Sequence, residues 1–252
     1  MLGASGNLGN KVLKDLISRG ESVAGVTRQK ARMAALEGQC EVLEGDFQDD
    51  EFLRKSLSCA TALFCTIPDS ALAHPVAAAE RLVKLLEASP IKHVVNISNA
   101  TLKRNGNYTS LITFEQELSK VQGIAVKHLR CANFFENLNW GINTLYHPDL
   151  KLPYISSYEI AYVAANYLAH RNFEGISTDE LLGERDYSMA ELAEIIGVSY
   201  TQLPYSEANI GFYKPFNEGN FELVKRTMEN TSIPTAEIFT LDYFIRNDLK
   251  LG

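Results

Sequence analysis

Cysteine, long apolar runs and excess positive charge are all scarce in this sequence. Only four of its 252 residues are cysteines, and because none forms a Cys-x-x-Cys pair, we expect reduced structural thiols rather than a zinc or disulfide framework. No apolar run approaches the length of a membrane span, and no signal peptide is recognisable, so we expect a cytoplasmic protein that does not bind membranes. The formal net charge of −7, without a basic stripe, argues against nucleic-acid binding.

Several chemical motifs are missing as well. The sequence has no nucleophile elbow and no cluster of metal-ligating residues, so we predict no bound metal. The stretch "GNLGNK" at 6–11 is not a P-loop, because its glycine spacing does not match and no Lys–Ser/Thr pair ends it.

The first half of the chain alternates between short apolar, β-branched runs and segments with helical periodicity. Such alternation predicts an α/β fold with a doubly wound parallel sheet covered by helices on both faces. Strands are predicted at 22–27, 40–45, 61–67, 92–98 and 123–130, and helices at 29–38, 49–57, 74–89, 110–122 and 133–145.

The second half is less regular and predicts a small C-terminal α/β cap, partly integrated with the main sheet. We place the boundary near residue 150, with a nucleotide-binding domain at 1–150 and the cap at 151–252. Capping boxes are predicted at Ser156–Glu159 and Ser188–Glu191, each ahead of a helix. A short strand is then predicted at 198–204, and helices at 219–230 and 234–249.

A glycine turn, Gly3-x-x-Gly6-x-x-Gly9, opens the first predicted helix. Glycines let backbone N–H groups approach a pyrophosphate, and the helix N-terminus adds free donors and a partial positive charge. The alternative is a glycine-rich connection that binds nothing. The predicted cofactor contacts here are Gly3, Ser5, Gly6, Asn7, Leu8 and Gly9.

Only Met1 and Leu2 precede this turn, where a parallel sheet needs an inner strand of about five residues. A missing inner strand would leave the ladder groups of its neighbours unpaired. We therefore expect either that the sequence is part of a longer protein, that the sheet starts with a stub, or that another segment fills the gap.

Cations follow the second predicted strand at the position where an NAD-preferring fold carries a carboxylate. Arg28 stands there, with Lys30 and Arg32 beyond it. A guanidinium at this point can pair with a 2′-phosphate through two hydrogen bonds. The alternative is a set of solvated charges, although cations are mildly disfavoured where a helix begins. We predict NADP(H) as the preferred cofactor, with NAD(H) as the alternative.

Two further strand ends supply cofactor candidates. Asp46 and Phe47 follow the third predicted strand, where we expect the adenine edge of the groove. Thr66, Ile67 and Pro68 follow the fourth, at the carboxyl edge where ligands of doubly wound folds bind. The alternative for both is ordinary turn chemistry.

In this order, several stretches resemble the NmrA-like branch of the atypical short-chain dehydrogenase/reductase superfamily. The stretches that carry the resemblance are "GASGNLGNKV", "VTRQKAR", "EGDFQDD", "HVVNISNAT", "GIAVKHLRCANFFENL", "ISSYEIAYVAANYL" and "LLGERDYSMAELAEIIG". The resemblance implies a Rossmann fold that binds NADP(H) or NAD(H). It also implies that Asn133 and Phe134 line the nicotinamide pocket on the substrate side, with core packing as the alternative for Phe134.

The catalytic pair usual in short-chain dehydrogenases, Tyr-x-x-x-Lys, is absent from the expected region. Tyr108 is the best proton donor by position, but Ile112 stands where the lysine should be. Ser98 and Thr101 lie at the exit of the fifth predicted strand. Either could orient a substrate carbonyl, and Ser98 is also a candidate cofactor contact; ordinary turn chemistry is the alternative.

Two functions from different classes remain open at this point. The first is an NADPH-dependent reductase of a small apolar or quinone-like substrate, since a quinone accepts hydride without a strong protein acid. The second is a non-catalytic regulator that senses the nicotinamide redox state and binds a protein partner or forms a homodimer. A cofactor-free structural remnant is a third reading.

Overall fold

The computed structural model describes residues 1–250, in which strands and helices alternate along the first half of the chain. The strands within these residues are β1 (Ala24–Thr27), β2 (Glu41–Glu44), β3 (Ala62–Cys65), β4 (His93–Asn99), β5 (Thr101–Arg104), β6 (Asn107–Tyr108), β7 (Ala125–Cys131), β8 (Asn133–Phe134), β9 (Lys151–Ile155), β10 (Ile176–Leu181), β11 (Asp186–Ser188) and β12 (Phe221–Leu223).

Helices of both α and 3₁₀ type connect these strands. The α-helices are α1 (Asn7–Ser18), α2 (Asp50–Leu57), α3 (Asp69–Leu72), α4 (Pro75–Glu87), α5 (Ser110–Leu118), α6 (Ser157–His170), α7 (Met189–Ile195), α8 (Ile210–Asn217) and α9 (Leu241–Asn247). The 3₁₀ helices are Lys30–Leu36, Phe135–Trp140 and Glu237–Phe239. None of the helices within residues 1–250 has the length and apolar character needed to cross a bilayer.

The chain forms two compact units, each assembled from segments that are distant in sequence. Unit 1 comprises Met1–Ser98, Ser110–Arg130 and Ile160–Asp179. Unit 2 comprises Asn99–Thr109, Cys131–Glu159 and the described residues from Glu180 onward. From the sequence alone we predict a single boundary near residue 150.

Unit 1 contains the parallel sheet that the alternating pattern predicts. Strands β10, β7, β4 and β3 lie in that order, and β1 and β2 form a separate pair. The ladders of β1 with β2 and of β3 with β4 are parallel. The predicted α/β class with a parallel sheet is therefore confirmed.

Met1 and Leu2 lie between β1 and β3 and join the two groups of strands. The Met1 nitrogen donates to Ala24 O at 2.6 Å, and Val26 N–H donates to Met1 O at 2.9 Å. On the other side, Leu2 N–H donates to Phe64 O at 3.0 Å. These two residues therefore hold the position of a central strand over a length of one dipeptide.

Helices cover both faces of this sheet. Successive residues of an extended chain point to opposite faces, and Met1 packs in a cluster with Leu13 of α1, whereas Leu2 packs with Leu53 of α2 and Leu82 of α4. The helix α1 thus covers one face, and α2 and α4 cover the other. This is the doubly wound arrangement that the sequence predicts.

Unit 2 contains two small sheets around an aromatic core. Strand β9 pairs antiparallel with β11 and parallel with β8, and β5 pairs antiparallel with both β6 and β12. The rings of Tyr154 and Tyr187 meet edge to face at 6.4 Å, and both side chains are buried. The predicted capping box is present, since the Ser188 hydroxyl accepts from Glu191 N–H and the Glu191 carboxylate accepts from Ser188 N–H.

Several predictions of local structure for unit 2 were wrong. The predicted helix at 133–145 is instead β8 followed by a 3₁₀ helix, because pairing with β9 outweighs helical periodicity. The predicted helix at 219–230 contains β12, which pairs with β5, and the predicted strand at 198–204 has no strand partner. At the other predicted capping box, the Ser156 hydroxyl accepts from Tyr158 N–H rather than from Glu159 N–H.

Candidate functional site

The glycine turn passes so close to its neighbours that two of its glycines have no room for a side chain. Gly3 has φ +66°, and a Cβ on it would overlap the hydroxyl of Thr66. A Cβ on Gly9 would overlap the carbonyl oxygen of Gly3. Gly6 N–H donates to that same carbonyl at 3.0 Å, which closes the turn. The sequence therefore uses glycine here because the backbone folds onto itself.

Helix α1 begins directly after this turn with its first donors open. Gly6 is the N-cap and supplies no side-chain oxygen. The N–H groups of Asn7, Leu8 and Gly9 have no acceptor among residues 1–250, and the first turn of α1 contains no acidic side chain. Free N–H groups and the positive end of the helix dipole make this a site for an anion such as a pyrophosphate.

The carboxyl end of β1 lies beside the turn. Ala4 N–H donates to Val26 O at 3.3 Å, and the Thr27 hydroxyl donates to the Ser5 hydroxyl at 3.0 Å. Thr27 Oγ1 also accepts from Gln29 N–H at 3.2 Å, so one hydroxyl fixes both the glycine turn and the residues after β1.

Three exposed cations follow β1. Within the described part of the chain, no carboxylate lies within 4.0 Å of the charged groups of Arg28, Lys30 or Arg32. The nearby Glu44 carboxylate accepts instead from the backbone N–H of Lys30, at 3.2 Å. These side chains are therefore available to an external anion next to the open end of α1.

The turn after β2 carries the predicted adenine contacts. The Asp46 carboxylate accepts from Gln48 N–H at 2.8 Å, which fixes the turn. Phe47 is buried in the unit 1 core. Asp46 thus has a structural partner, and the Phe47 ring has a place in the core.

Arg81 of α4 contacts this turn, although it is not among the residues that the sequence predicts for the site. Its guanidinium lies over the Phe47 ring with its central carbon 4.9 Å from the centroid, and it donates to the carbonyls of Phe47 and Gln48. Its Nε also lies 3.3 Å from the carboxylate of Asp50. No local pattern signals this contact, because Arg81 is 34 residues from Phe47.

The residues after β3 contact the glycine turn. The Thr66 hydroxyl donates to Leu2 O at 3.3 Å and stands against Gly3. Ile67 packs against the unit 1 core, and Pro68 is the N-cap of α3. Unit 1 therefore brings together the predicted contacts after β1, after β3 and in the glycine turn at one edge of the sheet.

The end of β4 is a closed polar network. The Ser98 hydroxyl donates to the Glu115 carboxylate at 2.5 Å, and Arg130 donates two hydrogen bonds to the same carboxylate, at 2.5 and 3.1 Å. Ser98 and Glu115 are 3% and 4% exposed. Glu115 is not among the predicted site residues, although a carboxylate at a position of α5 that faces the core is an unusual signal that the sequence does contain.

His128 belongs to a second closed network beside the first. Asn96 Nδ2 donates to His128 Nδ1 at 3.1 Å, and His128 Nε2 lies 3.0 Å from the Ser119 hydroxyl. The Ser119 hydroxyl donates to Glu115 O, so the imidazole Nε2–H donates to Ser119. Burial lowers the pKa of His128 to about 4, because the charged form loses its hydration.

The remaining predicted site residues lie in unit 2. Thr101 N–H donates to Asn99 Oδ1 at 2.8 Å. Tyr108 is half exposed, with Lys103 Nζ 5.0 Å from its ring centroid. Asn133 Nδ2 donates to Pro153 O at 3.2 Å, and Phe134 is partly buried in β8. Thr101 is thus held through its backbone, whereas the Tyr108 and Asn133 side chains have contacts within unit 2.

Comparison with known families agrees with the open edge of unit 1. Residues 3–138, more than half of the chain, match a family described as NAD(P)H-binding. The chain belongs to this NAD(P)H-binding family. The match begins at Gly3, so it includes the glycine turn, the cations after β1 and the Asp46–Phe47 turn. The predicted nicotinamide cofactor is therefore confirmed for this NAD(P)H-binding protein.

Solved structures of similar fold include three that cover most of this NAD(P)H-binding chain. Triphenylmethane reductase of Citrobacter sp. complexed with NADP(H) is 20% identical, with 94% of this chain and 96% of that chain covered and a TM-score of 0.71. An NADPH-dependent quinone oxidoreductase of Escherichia coli, complexed with NADPH, is 22% identical, with 83% and 79% covered and a TM-score of 0.69. A nucleoside-diphosphate-sugar epimerase of Staphylococcus aureus is 18% identical, with 98% of each chain covered and a TM-score of 0.73.

At these identities the likeness shows the fold alone, and that fold is the Rossmann fold expected from the sequence. No curated protein sequence matches the chain.

Proposed function

We propose that the protein is an NADPH-dependent reductase that transfers hydride to a small apolar or quinone-like acceptor. The observation that carries the cofactor preference is the set of cations after β1, which have no carboxylate partner among residues 1–250. Arg28 and Lys30 lie at the end of the strand whose Thr27 contacts the glycine turn, where the ribose 2′-phosphate of NADPH would add two negative charges.

The choice of acceptor follows from the chemistry that the protein lacks. When bound, NADPH supplies the hydride, and the acceptor also needs a proton. A carbonyl needs that proton from a strong protein donor as the hydride arrives, but no Tyr-x-x-x-Lys pair stands in the expected region and the Ser98 proton is directed to Glu115. A quinone accepts hydride as an electron-poor ring and can take its proton from water afterwards. The reductase names among the similar structures agree with this proposal.

The cofactor preference is tested by titrating the purified protein with NADPH and NADH and following nicotinamide fluorescence. Arg28→Glu should weaken NADPH binding by about 10- to 100-fold, because it removes a charge-assisted contact and adds repulsion, and should change NADH binding by less than about 3-fold. Lys84→Glu on the exposed side of α4 makes the same charge change away from the site and serves as the control. Equal losses for the two cofactors in Arg28→Glu would reject the 2′-phosphate role.

A second function, redox sensing without turnover, is favoured by the closed network around Ser98. The two functions can be distinguished by a continuous assay that follows NADPH absorbance with a panel of quinones. Consumption of NADPH supports the reductase. Tight NADPH binding with no consumption across the panel, together with a difference in partner affinity between the NADPH and NADP⁺ forms, supports the sensor.

A further inference from the structure

Arg104 of β5 differs from the other arginines of unit 2 because it has no acidic partner. Each of the others pairs with a carboxylate: Arg185 with Glu191, Arg226 with Asp186, and Arg246 with both Glu237 and Asp242. Among residues 1–250, no carboxylate forms an ion pair with Arg104, and no acceptor takes a hydrogen bond from its guanidinium. Its charge and its donors are therefore open to an external acceptor.

An aromatic ring holds the Arg104 side chain in place. The central carbon of its guanidinium lies 4.4 Å from the centroid of the Phe212 ring on α8. Arg104 also stands opposite Phe221 in the ladder of β5 with β12, and the Phe221 ring packs 4.9 Å from the Phe216 ring. A guanidinium stacked on a ring keeps its N–H groups at its edge, where they can donate in its plane. The stack thus positions the guanidinium without using its donors.

The preceding residue of β5 shows the opposite arrangement. Lys103 Nζ lies 2.9 Å from the Glu222 carboxylate of β12. Adjacent residues of a strand point to opposite faces of the sheet, so Lys103 and Arg104 lie on different faces. The positive charge is therefore compensated on the Lys103 face and uncompensated on the Arg104 face, where the aromatic rings lie.

Tyr146 supplies a second unused donor on the same face. Its ring lies 5.0 Å from Tyr213 and 5.5 Å from Phe216, and both of those rings contact Phe212. Tyr146 is only 8% exposed, yet its hydroxyl has no hydrogen-bond partner in the described part of the chain, although a buried tyrosine hydroxyl usually has one. Burial raises the pKa of this hydroxyl, and the positive charge of Arg104 opposes the rise, so the two groups lie close enough to interact.

We propose that Arg104, Tyr146 and Phe212 bind a small aromatic carboxylate. The two carboxylate oxygens would accept from the fork of Arg104 N–H groups, and one of them would also accept from the Tyr146 hydroxyl. An anionic acceptor fits because a guanidinium can only donate and the phenol proton needs an acceptor. One planar carboxylate therefore satisfies both groups at once.

The aromatic part of the ligand follows from the ring beside the charge. Phe212 is 46% exposed, so part of its ring is open next to the guanidinium. A flat apolar group on the carboxylate would cover this ring, remove apolar surface from water and gain a ring–ring contact. Acetate would make the ionic contact without this burial, and tetrahedral phosphate would have no apolar body to place on the ring. The site thus favours an aromatic carboxylate over either small anion.

Benzoate is the probe, titrated into the purified full chain without cofactor. Isothermal calorimetry measures its affinity, and saturation transfer from the protein to the benzoate protons confirms contact with its ring. We expect a Kd of about 1 mM or lower. Benzamide has the same ring without the charge, and it should bind at least about 10-fold more weakly, as should acetate and inorganic phosphate. No saturable benzoate binding up to about 10 mM, or equal affinity for any of the other three probes, would overturn the aromatic carboxylate as the ligand.

Three variants locate the site. Arg104→Met removes the guanidinium fork but keeps an unbranched apolar stem, and should weaken benzoate binding by about 10-fold or more. Tyr146→Phe keeps the packed ring and removes only the hydroxyl, with an expected loss of about 5-fold. Lys103→Met makes the same charge change on the other face of β5 and is the matched control, with an expected change below about 2-fold. Wild-type affinity in both Arg104→Met and Tyr146→Phe would overturn the site; if Arg104→Met does not fold, Tyr146→Phe alone decides.

Arg28→Glu distinguishes this site from the cofactor site, whose exposed cations also attract anions. Arg104, Tyr146 and Phe212 all belong to unit 2, whereas Arg28 belongs to unit 1. Benzoate affinity should therefore be the same in Arg28→Glu as in the wild type. Loss of benzoate binding in Arg28→Glu but not in Arg104→Met would place benzoate at the cofactor site and overturn the inference.

Discussion

Two regions at the carboxyl edge of the unit 1 sheet contain similar polar groups but use them in opposite ways. At the end of β1 and the start of α1, backbone donors and three cations have no partner among the described residues. At the end of β4, Ser98, Glu115 and Arg130 satisfy one another. We call these the open region and the closed region.

The difference separates binding from chemistry. Unsatisfied donors are costly unless water or a ligand meets them, so the open region is suited to hold an anionic cofactor. In the closed region the Ser98 hydroxyl proton already has an acceptor, so this hydroxyl is not poised to protonate a substrate. The geometry therefore supports anion binding at the open region, but it does not support proton donation by Ser98 at the closed region.

The largest effect should come from opening the closed region. Arg130→Met leaves the buried Glu115 carboxylate without its cation, and we expect the free energy of unfolding to fall by about 3 kcal/mol. Urea denaturation measures this loss. Adding Glu115→Gln to Arg130→Met should recover part of it, and Arg32→Met on the exposed surface should change stability by less than about 0.5 kcal/mol. A loss below about 1 kcal/mol in Arg130→Met would mean that the network is not a significant source of stability.

Displacing the glycine turn of the open region should strongly weaken cofactor binding. The Cβ of Gly9→Ala would overlap Gly3 O and push the glycine turn away from the helix, so NADPH binding should weaken by about 100-fold or more. Fluorescence titration measures the change. Gly211→Ala in α8 is the matched control, because nothing lies within 4 Å of a Cβ there. Native affinity in Gly9→Ala would place the pyrophosphate elsewhere.

The His128 network beside the closed region should respond to pH. His128 is held neutral, with its pKa lowered to about 4 from an ordinary value of 6.5. The unfolded chain therefore binds the proton first as the pH falls, and this contribution to stability is lost between about pH 6.5 and pH 4, by about 3 kcal/mol in total. His128→Gln should remove that part of the pH dependence in urea titrations. Parallel curves for the two proteins across this window would contradict a neutral buried imidazole.

The smallest effect should come from a change at the turn that carries Phe47, beside the open region. Arg81→Met frees the turn that carries Phe47, and we expect NADPH to bind about 5-fold more weakly. Reduced nicotinamide mononucleotide has no adenine, so its affinity should not change. Arg54→Met on the exposed side of α2 is the control. Equal weakening of both ligands would show that Arg81 acts on the protein as a whole rather than on the adenine end.

The open region was largely predictable from the sequence, and the closed region was not. Glycine spacing, a following helix and cations after β1 are patterns of residue type that can be read directly along the chain. Glu115 lies on α5 and Arg130 on β7, and Arg81 of α4 acts on the turn after β2, so their contacts depend on how these elements pack. Unit 2 was predicted least well, because pairing of β12 with β5 joins segments more than 100 residues apart and overrides the local helical pattern.

The glycine N-cap of α1 has a consequence for how coenzyme binding and local folding are coupled. With glycine at that position, the helix forgoes only roughly a few tenths of a kcal/mol relative to serine or aspartate, but its first N–H groups receive no side-chain acceptor from the N-cap. The diphosphate of the nicotinamide dinucleotide can accept hydrogen bonds from these N–H groups. The coenzyme would then act as the cap of α1 in addition to its role in hydride transfer. Coenzyme binding and ordering of the first turn of α1 would then occur together. Resistance to proteolysis near residue 7 would therefore report the fraction of the protein that has coenzyme bound.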